Sequence, residues 1–527
     1  MFESLTVYLV LKLLRIFILE ENRIKKSLRN YIYLLGNLAV NLILQFANRT
    51  IFIHTLGVSY LGINGLFSNV ISLLNMVDLG LSTSVLYSFY KPLAEKDFEK
   101  INILLKFYKK IYYVISTAVF VLGMTLIPFL KYFVNLDKDI PNIYLFYIML
   151  VINTAVSYLF VYKTCILVAD QKQYVMTKYQ IIFNVVRSIL QIVALSLYSS
   201  YEIYLLILII TTIFQNMICA AKVDKIYPIK KTNEKLIESD KKELKNNIFS
   251  MFAYKIASQV FSGTDNIIIS VLFGTISVGL YSNYLLIIQF ISNIVGSIFS
   301  ASTASVGNSI VVDSPKRRLE IFNDMQTISS MVGIFFTSEL LLLINDFIKL
   351  WLGDEYVLNS LIVLAVVINF AMDCGFQPIW CFRNAAGIFV KLKYIMLVAA
   401  VLNIILSIGL GKLMGIPGVF FATTISRILS YFWYEPRILF KDFLNISERI
   451  YYKSWFKYVI NLIITIVGEE LIFNGFKIVS WRLWIVKATI SSIISLGFIA
   501  ICYCKSHVMM TFLSKMKKII FSNSSEK

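Results

Sequence analysis

Apolar stretches about twenty residues long recur along this chain from about residue 30 to residue 504, separated by short polar breaks. Each is long enough to cross a hydrocarbon core of roughly 30 Å as a helix. In lipid a spanning segment must satisfy its own backbone hydrogen bonds, so these are expected to be helices rather than isolated strands. The pattern places spans near 30–53, 58–85, 111–130, 141–162, 178–198, 202–221 and 248–273, then near 276–311, 325–346, 357–381, 394–411, 416–434, 457–475 and 482–504. The fold class predicted is therefore all-α integral membrane, with about fourteen transmembrane helices. Spans 58–85 and 276–311 exceed what a bilayer needs and are expected to extend beyond it or to bend at Gly80 and Gly296.

Composition agrees. Of 527 residues, 58% are apolar and 15% charged, an apolar share that a soluble chain of this length cannot bury. The net charge of +19 does not point to nucleic acid, because the cations sit in short loops between apolar spans. They read as topology signals and as contacts to anionic membrane lipids. Lys and Arg gather in the N-terminal segment (Lys12 to Arg29), the second loop (Lys91 to Lys110), the sixth loop (Lys222 to Lys245) and the tail (Lys505 to Lys527). The odd loops hold only Lys131, Lys138, Lys349, Lys412, Lys477 and Arg482. This asymmetry assigns both termini to the cytoplasmic side and requires an even number of spans, which twelve or fourteen satisfies.

The organisation expected is a segment 1–29 lying as an amphipathic helix on the inner surface, with a short extra span as the alternative. It is followed by a first lobe 30–221 (spans one to six), a cytoplasmic linker 222–247, a second lobe 248–440 (spans seven to twelve), a segment 441–504 holding spans thirteen and fourteen with a preceding cytoplasmic loop, and a cytoplasmic tail 505–527. An internal repeat crosses the linker. RTIFIHTLGVSYLGINGLFSN (49–69) and DNIIISVLFGTISVGLYSNYL (265–285) share a helix end, a glycine, four residues and a second glycine: Gly57 with Gly62, and Gly274 with Gly279. That suggests parallel six-helix repeats with a cavity between two lobes. Six scattered cysteines and two histidines, His54 and His507, offer no metal-site spacing, and all six thiols are read as core residues.

Three stretches carry a resemblance: NMVDLGLSTSVLYSFYKPLAEKD (75–97), SGTDNIIISVLFGTISVGLYSNY (262–284) and GIPGVFFATTISRIL (415–429). With the helix count, they make the chain resemble the polysaccharide flippases, the O-antigen and capsule repeat-unit exporters of the multidrug/oligosaccharidyl-lipid/polysaccharide flippase superfamily. The resemblance implies a two-lobed fold around a central cavity and a polyprenyl-pyrophosphate-linked oligosaccharide as substrate. It also implies a place in the bacterial cytoplasmic membrane, a role in O-antigen, capsule or lipopolysaccharide synthesis, and polysaccharide polymerase and chain-length machinery as partners.

Charges within the spans are the candidate chemistry, because each costs several kcal/mol unless it lines water, pairs or serves a substrate. Arg49, Lys255, Arg427 and Arg187 are the expected substrate-binding cations, since arginine donates to phosphate in pairs and stays charged. The alternatives are snorkelling to headgroups for Arg49 and Lys255, and a structural ion pair with an acid such as Asp265 or Asp373 for Arg187 and Arg427. Asp78, Asp265 and Asp373 are read as helix-fixing partners or as sites of H⁺ or Na⁺ coupling, with no other cofactor expected. Tyr281, Asn283 and Gln289 are able to hydrogen-bond sugars. Two other functions compete. A polysaccharide polymerase or transferase needs acids or histidines on a sizeable outer loop, and the short loops near 131–140, 347–356 and 476–481 show no such cluster. A cation-coupled drug exporter of the same superfamily favours an acid-lined cavity.

Overall fold

The computed structural model describes residues 33, 36–74, 88, 89, 92, 93, 95–133, 140–170, 172–227, 257–261, 263–476 and 478–511. Asp78, Gly80, Lys255, the segment 1–29 expected as an amphipathic helix and most of the tail lie outside them. All regular structure among the described residues is helical. The helices form two compact units.

The first unit contains α1 (residues 36–56), α2 (Val58–Leu74), α3 (Phe98–Thr125), α4 (Ile143–Tyr158), α5 (Val161–Ala169), α6 (Gln173–Tyr198) and α7 (Tyr201–Ile226). Polar caps set the starts of α3 and α7. The Asp97 carboxylate accepts from the Lys100 amide at 2.9 Å, and the Ser200 hydroxyl from that of Ile203 at 3.3 Å. The core of the unit joins α3 to α4, α5 and α7 through Leu104, Tyr108, Tyr112, Tyr158, Ile166 and Val223. Two hydrogen bonds fasten α3 to α4: Ser116 donates to the Ala155 carbonyl at 2.7 Å, and Tyr147 to that of Gly123 at 3.1 Å. Helix α7 runs to Ile226, past the boundary expected at 221. Val223 is buried there and Asp224 pairs with Lys163 at 2.5 Å, while Lys222, Asp224 and Lys225 are exposed.

The second unit contains a helical turn at 257–261, then α8 (Asp265–Phe273), α9 (Thr275–Val312), α10 (Pro315–Leu352), α11 (Ser360–Ala386), α12 (Phe389–Met414), α13 (Ile416–Leu429), α14 (Tyr431–Leu439), α15 (Arg449–Phe473) and α16 (Trp481–Tyr503). Helices α10 and α11 form its centre: 56% and 61% of their apolar windows are buried, against 22% for α16. Helices α15 and α16 dock on this pair through Ile334, Ala371, Tyr458, Leu462, Ile499 and Tyr503. Tyr458 donates to the Ala371 carbonyl at 2.9 Å and Trp484 to that of Leu343 at 3.2 Å.

The described part of each of the fourteen expected spans falls on a helix, or on two helices separated by a short break. By length and composition alone, eight helices among the described residues are able to cross a membrane, or nine if α4 and α5, bent by 50°, form one broken span. The others fall short for visible reasons. Helix α8 has 9 residues and α13 has 14, and α15 carries Lys453, Lys457, Glu469 and Glu470. Lipid-facing surface is plain on α6, where Ile189, Val193 and Leu197 recur at four-residue spacing and are exposed. The chain is thus a multi-pass membrane protein. Helix α9 is one continuous helix of 38 residues, about 57 Å long.

The repeated glycines have a conformational reason. Gly57 separates α1 from α2 at φ +87°, and Gly274 separates α8 from α9 at φ +86°. A Cβ at Gly57 would meet nothing within 4 Å, so backbone conformation rather than space requires the glycine.

Candidate functional site

In the first unit, polar residues recur on one face of α1 and on α6. Asn41 donates to Asn37 at 3.0 Å, Asn184 to Asn41 at 2.9 Å, and Arg187 to Asn184 at 2.7 Å. Further along, Asn48 donates to the Ser188 hydroxyl at 2.8 Å. Spacings of four and seven residues on α1, and of three and four on α6, put these groups on facing stripes. The stripe ends at two arginines. Arg187 caps the asparagine ladder, and Arg49 follows Asn48 on α1. Tyr204 of α7 lies within electrostatic reach of both.

Arg49 is the exceptional member. Its Nη1 is fully buried and has no hydrogen-bond partner among the described residues, and the Asn48 side-chain oxygen beside it is likewise unpartnered. No carboxylate among the described residues lies within 4 Å of Arg49 or Arg187. A guanidinium held at membrane depth without a counter-charge is costly, and an anion able to accept paired hydrogen bonds would offset that cost. Aromatic rings wall the neighbourhood. Phe52 packs edge-on against Tyr201 and Tyr204, at 5.6 and 5.3 Å between centroids, and Tyr201 stacks on Tyr204 at 5.9 Å.

In the second unit, Asp265, Asp373 and Arg427 come together at the junction of α8, α11, α12 and α13. Arg427 is only 8% exposed, and its Nη1 donates to Asp373 at 2.5 Å. Its guanidinium also lies over the Phe261 ring at 5.5 Å. Asp265 occupies the first turn of α8, where the helix dipole favours an anion. It accepts from Thr423 at 3.2 Å, and Asn403 donates to the Thr423 hydroxyl at 2.9 Å. Asn369 extends the network, accepting from Thr424 at 3.0 Å and donating to the Phe420 carbonyl at 2.8 Å. Close approach makes this possible: a Cβ on Gly418 would collide with the Leu410 carbonyl oxygen, so α12 and α13 touch backbone to backbone.

Of the expected cations, Arg49 and Arg187 both lie near Tyr204 in the first unit. Arg427 in the second is committed to Asp373, and Lys255 is outside the described residues. Of the sugar-binding candidates, Tyr281 is buried against Phe420 at 4.6 Å, Asn283 is fully buried, and Gln289 is exposed. Sequence reading missed Asn41, Asn48, Asn184 and Tyr204, and also Asn369, Asn403 and Thr423. Their signal was present as uncharged polar residues at helical spacing inside apolar spans. Cys165, Cys219, Cys374 and Cys381 are buried, whereas Cys504 is exposed at the end of α16 and is no core thiol.

No family model and no curated protein matches the sequence. Solved structures do. A lipid II flippase MurJ in an inward closed conformation superposes with a TM-score of 0.64 at 17% identity, covering 90% of this chain and 98% of that one. An inward-facing multidrug resistance MATE family transporter of the MOP superfamily gives 0.59 at 12% identity, over 77% of this chain and 99% of that one. The Vibrio cholerae MATE transporter VcmN, in a mutant form, gives 0.57 at 12% identity, over 81% and 99%. At such identities the likeness is one of architecture: this chain has the all-helical membrane fold shared by the MurJ flippase and the MATE transporters.

Proposed function

We propose that this chain is a flippase that carries a polyprenyl-pyrophosphate-linked oligosaccharide across the bacterial cytoplasmic membrane by alternating access, in the synthesis of an O-antigen or capsule polysaccharide. The observation that supports this most is the Arg49 side chain, cationic and lacking a hydrogen-bond partner for Nη1 among the described residues, beside Arg187 and a ladder of asparagines. A pyrophosphate headgroup is an anion with oxygens in the geometry an arginine fork matches. Its sugars are hydrated, and side-chain amides such as those of Asn41 and Asn184 replace water for hydroxyl groups. The lipid tail can remain in the bilayer while the head passes polar walls.

The fold supports the same reading. The MurJ structure is that of a lipid II flippase, which names a lipid-linked cargo for that protein. In this account the lobes expected at 30–221 and 248–440 alternate access, with both termini in the cytoplasm as the loop charges indicate. Lys255 belongs to the same cationic set. Arg427 serves by fixing α11 to α13, and Asp78, Asp265 and Asp373 act as helix-fixing groups or as H⁺ or Na⁺ sites.

The test is deletion of the gene followed by measurement of lipid-linked oligosaccharide in each leaflet. The expected result is build-up on the cytoplasmic leaflet, relieved by the wild-type chain and not by Arg49→Glu. Normal leaflet distribution in the deletion strain would overturn the proposal. A second reading, export of cationic drugs, draws on Asp265, which has no cation within 4 Å among the described residues. It predicts loss of resistance to lipophilic cations in the same strain, with polysaccharide unaffected.

A further inference from the structure

A cavity of about 470 Å³ opens among α10, α11, α15 and α16, wholly within the second unit and apart from the Arg427 network. Ser338 and Glu469 line it, and Glu339 is the next residue of α10. Glu469 is 2% exposed and Glu339 is 9% exposed. Serine hydroxyls join the two carboxyl groups. Ser491 donates to Glu339 Oε2 at 2.7 Å, and Ser495 reaches Oε1 of Glu339 at 3.5 Å and Oε1 of Glu469 more closely. Ser338 lies 3.0 Å from the Ser495 hydroxyl and donates to Glu469 Oε1 at 3.4 Å. Glu469 Oε2 is buried and has no hydrogen-bond partner among the described residues.

Two acids lie within electrostatic reach of each other in an apolar helix bundle. Counting back from Leu352, Glu339 is about 20 Å from the end of α10. The charged groups facing the cavity do not neutralise them. Lys487 of α16 is taken by Asp346 of α10 at 2.8 Å and by the Leu342 carbonyl at 3.1 Å. Glu470 of α15 adds another acid, and α11 contributes Ser360, Val363 and Leu364, none of them charged. Two unpaired carboxylates at this depth would repel each other and pay the cost of burial twice.

We propose that Glu339 and Glu469, with Ser338, Ser491 and Ser495, form a binding site for one small monovalent cation, a proton or Na⁺. The shared chemistry is an all-oxygen pocket with a surplus of negative charge. Oxygen donors suit hard cations, and a proton requires only the carboxyl oxygens themselves. A divalent metal fits less well, because no group of three His, Cys, Asp or Glu residues among the described residues is able to hold a metal ion. The unpartnered Oε2 of Glu469 and the adjoining cavity give the ion a ligand and an entry path. The site would bind its ion whatever the chain transports, so it stands or falls separately from the flippase reading.

The experiment uses the full chain purified in lipid nanodiscs and labelled with dicyclohexylcarbodiimide, which modifies protonated carboxyl groups in apolar surroundings. Mass spectrometry then reads the modification of Glu339 and Glu469. Labelling that falls when NaCl replaces choline chloride at fixed pH identifies Na⁺. Labelling that falls as pH rises and ignores Na⁺ identifies the proton. A label level that neither pH nor Na⁺ changes overturns the proposal. Thermal unfolding supplies a second readout. The wild-type midpoint should move by at least about 1 °C with the identified ion, and the E339Q/E469Q double variant should respond distinctly less. An equal response in the double variant would contradict the site.

Discussion

Two arginines show how differently a buried charge is used. Arg427 has a carboxylate at 2.5 Å and an aromatic ring beneath it, so its charge is accounted for within the fold. Removing Asp373 leaves Arg427 buried and uncompensated, which costs about 3–5 kcal/mol, while removing Arg427 leaves a partly exposed Asp373 and costs less. Asp373→Asn should therefore lower the thermal midpoint clearly and Arg427→Gln by less, whereas Asp373→Leu with Arg427→Met should recover much of the loss. Arg49 is the opposite case. Arg49→Gln removes a charge that no described carboxylate balances, so stability should hold or rise while transport falls. Thermal unfolding beside a transport assay separates these outcomes. Searching apolar spans for charges found Arg49, Arg187, Arg427, Asp265 and Asp373, since cost alone marks them. It offered both Asp265 and Asp373 as partners for Arg427 but could not choose Asp373, because helix rotation, which decides pairing, leaves no trace in a uniformly apolar pattern. The same search also passed over Glu339 and Glu469, which obey the same rule.

At the scale of elements, glycine positions carry the clearest consequences. Gly274 has φ +86° with ψ +166°, a region that side chains avoid at a cost of about 1–3 kcal/mol. Gly274→Ala and Gly57→Ala should each lose about that much, read as a lower midpoint for a purified chain that still folds. Gly418→Ala should cost more, because its methyl group collides with the Leu410 carbonyl oxygen and α12 must part from α13. Equal midpoints for Gly418→Ala and wild type would contradict that packing. The spacing of Gly57 with Gly62 and Gly274 with Gly279 was legible from the sequence, and the matching φ angles of Gly57 and Gly274 explain the first glycine of each pair. Breaks inside apolar runs were not legible. The turn at 159–160 between α4 and α5 and the break at Ser430 between α13 and α14 interrupt continuous hydrophobic sequence, so hydropathy alone merges each pair into one span.

For the whole molecule, the fourteen-span reading follows from hydrophobic length, which membrane thickness fixes. Function is less legible, since small and apolar residues build the same fold for different cargoes. The last two helices belong to the second unit's core rather than to a detachable addition: Tyr458 and Trp484 bond to backbone carbonyls of α11 and α10. Deleting residues 441–527 should strip α10 and α11 of this cover and abolish a monodisperse purified chain. Recovery of a well-folded truncated protein, judged by size-exclusion profile and unfolding midpoint, would show that the docking is dispensable. The central claim concerns what passes Arg49 and Arg187. Its most direct measurement reconstitutes the purified chain in proteoliposomes with a fluorescent polyprenyl-pyrophosphate oligosaccharide and follows, with an external glycosidase, how much sugar changes leaflet. The account predicts that wild-type vesicles expose the inner pool while Arg49→Glu/Arg187→Glu vesicles protect it. Equal exposure in wild-type, doubly reversed and protein-free vesicles would contradict it.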